Sequence, residues 1–147
     1  MPDNMTITKS QLETENFGKK LAAKLKGGDI LLLSGDLGAG KTSLVKGIAK
    51  DLGIKHEITS PTFTLMNLHQ IKNKKSQIKQ FVHIDTYRLK DEKELLEIGV
   101  EDYLGDANTI CVIEWPEKIA GLLKNKKTTS IALEHGEKPE ERKIQIS

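Results

Sequence analysis

The chain is poor in several residue types, and each shortage removes a class of protein. Among 147 residues Cys111 is the only cysteine. No disulfide can close within the chain, so a disulfide-stapled scaffold is excluded and a reducing cytoplasmic compartment is expected. Cys111 lies in an apolar run and reads as core filler, not as a nucleophile. Arginine is nearly absent: Arg88 and Arg142 stand alone among many lysines, so any task that needs a planar guanidinium has two candidates. No apolar run approaches the roughly 20 residues of a membrane span. Met1-Pro2-Asp3-Asn4 shows no basic-then-apolar signal pattern. A membrane partner is therefore not expected. Net charge is also small, at +2, which argues neither for nor against nucleic acid. What is present, 37% hydrophobic and 30% charged residues, describes a globular protein with a real core. The length predicts a single domain over 1–147.

One stretch organises the rest. Ile30-Leu31-Leu32-Leu33-Ser34 is an apolar run, and Asp29 to Ser34 reads as a short buried strand. Gly35-Asp36-Leu37-Gly38-Ala39-Gly40-Lys41-Thr42 follows and fits G-x-x-x-x-G-K-[ST], the phosphate-binding loop. Glycines let the backbone come close to a phosphate, and successive amides, continuing to Ser43, form an anion nest at a helix N-terminus. Lys41 supplies a point charge for the β- and γ-phosphates, and the Thr42 hydroxyl is a hard oxygen ligand for Mg²⁺. Leu44, Val45, Ile48, Ala49 and Leu52 then share a helical face, and Gly53 supplies a stop. This strand–loop–helix context separates the motif from a chance glycine-rich turn.

Taken in order, Met5–Thr8 predicts a short strand. Ser10-Gln11-Leu12-Glu13 is a capping box opening a helix to about Lys26, with Phe17, Leu21, Ala22 and Leu25 as its apolar stripe and Gly27-Gly28 as its end. Thr59-Ser60-Pro61-Thr62-Phe63-Thr64 is dense in hydroxyls; it reads equally as a turn and as a phosphate-sensing loop. Thr64–Ile71 and Gln80–Leu89 read as a hairpin with a lysine-rich tip at 72–77. On the second strand Val82 and Ile84 fall on one face and His83, Asp85 and Tyr87 on the other. Such a strand could deliver Asp85 to a phosphate site, or simply show polar residues to solvent. Asp91-Glu92-Lys93-Glu94 caps a predicted helix reaching about Leu104, with Leu95, Leu96 and Ile98 as core. Thr109–Glu114 is a continuous apolar strand of the parallel type. It ends in Glu114, where a metal-binding carboxylate of the Walker B kind would sit. Pro116 starts a short helix to about Leu123, Lys124–Lys127 is a basic turn, and Thr128–Leu133 with Arg142–Ile146 predicts a closing antiparallel hairpin.

Four blocks in this order, the phosphate-binding loop, Ser60–Leu65, His83–Leu89 and Glu114-Trp115-Pro116-Glu117, resemble the TsaE (YjeE) family. Glu97–Tyr103 is similar to it as well. The resemblance covers about Gln11 to Leu133. It implies an ATPase required for threonylcarbamoyladenosine formation in tRNA, acting with two partners, TsaB and TsaD, with tRNA reached through that complex. Carried over by position, it implies that Lys41 grips the phosphates and that Thr42 and Glu114 hold Mg²⁺. It puts Asp85 near the attacking water or among the groups just outside the metal's own ligands, and makes Ser60–Thr64 a switch segment. The basic hairpin tip and the C-terminal tail lie outside the blocks.

The fold these readings predict is a three-layer α/β P-loop NTPase, with a mainly parallel sheet and antiparallel additions. The predicted function is Mg²⁺-dependent ATP binding and slow hydrolysis that regulates or resets a tRNA-modifying complex. Two alternatives are a small-molecule kinase, for which the chain is short of a lid, and a nucleotide-dependent interaction module without turnover. With Arg142 in the tail and Arg88 three residues past Asp85, the chain reads as catalytically incomplete by itself.

Overall fold

The computed structural model describes residues 4–36, 38–59, 61, 64–73 and 76–147. Leu37 of the phosphate-binding loop, Ser60, Thr62 and Phe63 of the expected switch segment, and Lys74 and Lys75 of the hairpin tip lie outside them. The strands are β1 (Asn4–Thr8), β2 (Ile30–Ser34), β3 (Met66–Gln70), β4 (Gln80–Asp85), β5 (Thr109–Glu114), β6 (Thr129–His135) and β7 (Arg142–Ile146). They form one sheet in the order β1-β7-β6-β2-β5-β4-β3. The central four, β6-β2-β5-β4, are mutually parallel. β3 joins one side antiparallel, and β7 then β1 join the other. Every residue of β5 is buried, as expected for a strand flanked by parallel neighbours and covered on both faces.

Alternation along these strands feeds two cores. Leu31, Leu33, Phe81, Ile110 and Val112 pack beneath α1 (Gln11–Ala22) and α2 (Lys41–Asp51) through Ala22, Leu44, Val45 and Ile48. Ile30, Val82, Ile84, Cys111 and Ile113 face the other way. They meet Leu95 of α3 (Lys93–Glu97), Val100 of a 3₁₀ turn, and Ile119 just before α4 (Ala120–Leu123). Helices on both faces of a largely parallel sheet make the three-layer α/β arrangement that the sequence predicts. Among the described residues no helix is long and apolar enough to cross a membrane.

Glycine sets the spacing of the first layer. A Cβ on Gly47 would fall 1.9 Å from the Glu15 carbonyl oxygen, and one on Gly18 would fall 2.4 Å from that of Leu44. The backbones of α1 and α2 therefore touch directly. That contact fixes the first turn of α1, capped by the Ser10 hydroxyl accepting from the Glu13 amide at 3.1 Å, beside the N-terminus of α2.

Several expected boundaries move. α1 ends at Ala22, not Lys26: i→i+3 bonds from Lys24 and Leu25 tighten the chain, and the Asp29 carboxylate accepts from the Lys26 amide at 2.8 Å. β4 stops at Asp85, not Leu89, because the buried Thr86 hydroxyl turns to donate to the Glu114 carbonyl at 3.1 Å. The helix expected to reach Leu104 lasts five residues. Gly99 then turns the chain at φ 84°, so helical periodicity no longer selects the core. Leu95, Val100 and Leu104 are buried, whereas Leu96 and Ile98, expected inside, are 43% and 44% exposed.

Candidate nucleotide site

Three parallel strands finish level with one another. Leu33 is in register with Glu114, and Glu114 with Asp85. The crevice beyond the C-terminal ends of such strands is where ligands sit in open α/β sheets. Here it opens onto the loop that joins β2 to α2. Gly40 caps α2 at φ 100° without a side-chain hydrogen bond, a backbone state closed to most residues with a Cβ. It leaves the first amides of α2 facing the crevice.

Lys41, the first residue of α2, is 5% exposed. Its ammonium has no hydrogen-bond partner among the described residues. It stands 3.9 Å from Glu114 Oε1 and 4.0 Å from the centre of the Trp115 ring. A buried ammonium with no acceptor is costly unless an anion completes it. Trp115 reaches this position because it leaves β5 in the left-handed region, at φ 59°. The Thr86 hydroxyl holds that turn by donating to the carbonyls of Glu114 and Trp115.

Glu114, 4% exposed, is fixed from its other side: His83 Nε2 lies 2.6 Å from Glu114 Oε2. His83 is buried, so the face of β4 that could have shown polar residues to solvent instead turns a histidine onto the carboxylate. Next to it, half-buried Asp85 accepts from the Tyr87 amide at 2.9 Å through Oδ1. Burial pushes the Asp85 carboxyl above its usual value; the Tyr87 amide opposes this, and the neighbouring Glu114 charge adds to it. Thr42 is exposed at the mouth of the same crevice, and Ser43 is buried behind it.

The structure thus brings Gly38, Gly40, Lys41, Thr42, Ser43, Asp85 and Glu114 together around a cleft of about 400 Å³. Gly35, Asp36 and Ala39 border a neighbouring depression on the far side of the loop. Sequence reasoning missed Arg142. It opens β7, as the tail hairpin predicts, but lies against the phosphate-binding loop. Nη2 donates to the Gly38 carbonyl at 3.2 Å, and Nη1 donates to those of Pro139 and Glu141 at 2.7 and 2.9 Å. The one sequence signal was scarcity, since Arg142 is one of only two arginines. The other, Arg88, is exposed and does not line the cleft. The far end of the cleft is closed by Gln11 and Thr14 of α1.

Do these residues suit a nucleotide with Mg²⁺? Lys41 finds no acceptor among the described residues, the Thr42 hydroxyl is accessible, and Glu114 Oε1 lies 3.9 Å from the Lys41 ammonium. Among the described residues no cluster of three or more His, Cys, Asp or Glu forms a metal cage. Mg²⁺ shared among phosphates, waters and one or two protein oxygens needs none. The donor set fits.

A layered α/β sheet with this loop between its central strand and helix defines a P-loop protein. The sequence model of the family described as "Threonylcarbamoyl adenosine biosynthesis protein TsaE" matches residues 8–144, and the chain belongs to the TsaE family. Proteins named tRNA threonylcarbamoyladenosine biosynthesis protein TsaE are among its relatives. The one from Rickettsia bellii is 41% identical over 84% of this chain and 81% of its own length. That from Treponema pallidum is 37% identical over 80% and 82%. The Bacillus subtilis protein is 41% identical over 73% of this chain, a match that spans 63% of its own length. The crystal structure of Bacillus subtilis YdiB superposes with a TM-score of 0.76 at 30% identity, covering 98% of this chain and 84% of that one.

Proposed function

We propose that this chain is the ATP-binding, slowly hydrolysing subunit that supports threonylcarbamoyl modification of adenosine in tRNA, working with TsaB and TsaD proteins. One observation carries the nucleotide reading: a buried lysine at the N-terminus of α2 that finds no acceptor among the described residues. Family membership over residues 8–144 carries the pathway.

In this reading Lys41 and the α2 amides hold the phosphates. Thr42 and Glu114 hold Mg²⁺, which when bound neutralises charge on the β- and γ-phosphates. His83 keeps Glu114 oriented through Oε2, leaving Oε1 toward the cleft. Asp85 stands on the water side, its carboxylate aimed by the Tyr87 amide. Trp115 walls the phosphate end and excludes water from Lys41.

The same geometry supports the expectation of slow turnover by the chain alone. An arginine directed at the transferring group is worth about 10³–10⁵ in rate. Arg142 is at the cleft, but its guanidinium donates to three backbone carbonyls, and Arg88 lies outside it. Phosphate release by the purified chain, then with TsaB and TsaD added, tests this. Slow release that rises in the complex is expected. Release near the ordinary enzyme value of about 10 s⁻¹, unchanged by the partners, would overturn it.

A further inference from the structure

The chain enters β3 through a strained residue. Leu65 stands at φ 64°, a left-handed state that a residue with a Cβ rarely adopts and that surrounding contacts must impose. Its carbonyl accepts from the Asp85 amide at 3.0 Å. The backbone that carries the water-side carboxylate is therefore bonded to the residue under strain. One side chain braces the stretch just before this turn. Asn67 Oδ1 accepts from the Thr64 hydroxyl at 3.1 Å, and Asn67 Nδ2 donates to the Thr59 carbonyl at 3.3 Å. A carbonyl only accepts, so the Thr59 bond fixes which way round the amide sits. Asn67 thus joins the two ends of the hydroxyl-rich stretch 59–64. The sheet sets this brace beside the cleft. Alternation along β3 turns Asn67 and His69 to one face. His69 stacks on buried Phe81, ring centres 5.9 Å apart, and its Nδ1 lies 2.8 Å from His56 Nε2. That is the face beneath α1 and α2. In the register of β3 with β4, Asn67 lies opposite His83, the partner of Glu114. Leu68 falls on the other face and is 41% exposed.

We propose that Asn67 is a positioning residue for nucleotide hydrolysis. By holding Thr59 and Thr64 together it keeps Leu65 in the left-handed state, and through the Leu65 carbonyl it fixes the backbone at Asp85. The inference rests on the nucleotide reading of the cleft and adds a residue that does not line it. Two restraints hold the turn at Leu65: the Asp85 amide on its carbonyl, and the Asn67 side chain on the residue before it. With the second removed, Leu65 relaxes toward the ordinary region and draws its carbonyl off the Asp85 amide. Lys41, Thr42 and Glu114 are untouched by that movement, since none of them is bonded to this turn. Loss of Asn67 therefore spares binding and lowers turnover, whereas loss of a phosphate ligand lowers both.

Two variants of the full chain test it. Asn67→Asp keeps the shape and the acceptor for Thr64 but sets a carboxylate oxygen against the Thr59 carbonyl. Leu68→Ser alters the next residue, on the other face of β3, and serves as the control. Hydrogen exchange at the Asp85 amide, read without nucleotide, is expected to quicken in Asn67→Asp and to stay at the wild-type rate in Leu68→Ser. Phosphate release with ATP and Mg²⁺ varied is expected to show kcat lowered at least about tenfold in Asn67→Asp, since a misplacement of about 1 Å can cost about 10²-fold. KM is expected to hold, and so is calorimetric affinity for ATP with Mg²⁺. Wild-type exchange at Asp85 in Asn67→Asp would overturn the proposal. So would quickened exchange with wild-type kcat, or a loss confined to KM. A wild type that binds no ATP would overturn the reading of the cleft, and with it any part for Asn67 in hydrolysis; failure in Asn67→Asp beside a competent wild type overturns this inference alone.

Discussion

His83 Nε2 stands 2.6 Å from Glu114 Oε2, across the parallel pair β4 and β5. Both side chains are buried, so the histidine is the group that holds the carboxylate toward Lys41. Replacing it with leucine strips a buried acceptor of its partner, at a cost of about 1–3 kcal/mol. His83→Gln keeps a donor and is expected to recover much of that loss. Thermal unfolding of the two variants beside the wild type checks the order: wild type, then Gln, then Leu. Equal melting temperatures for Gln and Leu would show that the hydrogen bond does not fix Glu114.

Trp115 is the only tryptophan, and its ring lies 4.0 Å from the Lys41 ammonium and 5.1 Å from the Tyr87 ring. Drawing Lys41 onto a phosphate alters the cation above the indole. Tryptophan emission is therefore expected to change on titration with ADP, and to lose that response in Lys41→Ala. A flat titration of the wild type would mean that the indole does not sense the cleft.

Arg142 ties the loop before β7 to the phosphate-binding loop through the Gly38 carbonyl. Removing it in Arg142→Ala is expected to lower nucleotide affinity about tenfold, equivalent to ~1.4 kcal/mol, as the loop loses its outer support. Arg142→Lys is expected to recover little, because one ammonium cannot serve carbonyls on two sides in the way a planar guanidinium does. Calorimetric titration of the three proteins decides, and wild-type affinity in Arg142→Ala would remove the residue from the site.

Asp85 gives a pH signature. Burial raises its carboxyl above the usual 3.8, so the folded chain holds that proton more tightly than the unfolded chain. Stability from this group is full below the unfolded value and is lost as pH rises through the folded one. Asp85→Asn has no such loss. Its melting temperature relative to wild type is expected to climb as pH rises from below 3.8 through the window just above it, then level off. A difference that shrinks over that window would reverse the sign assigned to Asp85.

The parts legible in the sequence are those written in one stretch. The strand before Gly35, the loop and the buried face of α2 follow from local pattern, and so does the wholly buried β5. The parts that were not legible depend on pairings across the chain. Arg142 reaches Gly38 only because β7 folds back on β6, which lies beside β2. His83 is a carboxylate partner only because β4 registers with β5 so that Asp85 meets Glu114. A helical period places Leu96 and Ile98 in the core, but Gly99 interrupts it. The joining of β1 to β7 had no local signal.

We propose the cleft around Lys41 as the binding site of a nucleoside triphosphate with Mg²⁺. Isothermal titration of the wild-type chain and of Lys41→Ala with ATP in the presence of Mg²⁺ tests it most directly. Saturable binding to one site per chain is expected for the wild type, with affinity falling at least about tenfold, ~1.4 kcal/mol, in Lys41→Ala. No binding to the wild type, or equal binding to both, would contradict it.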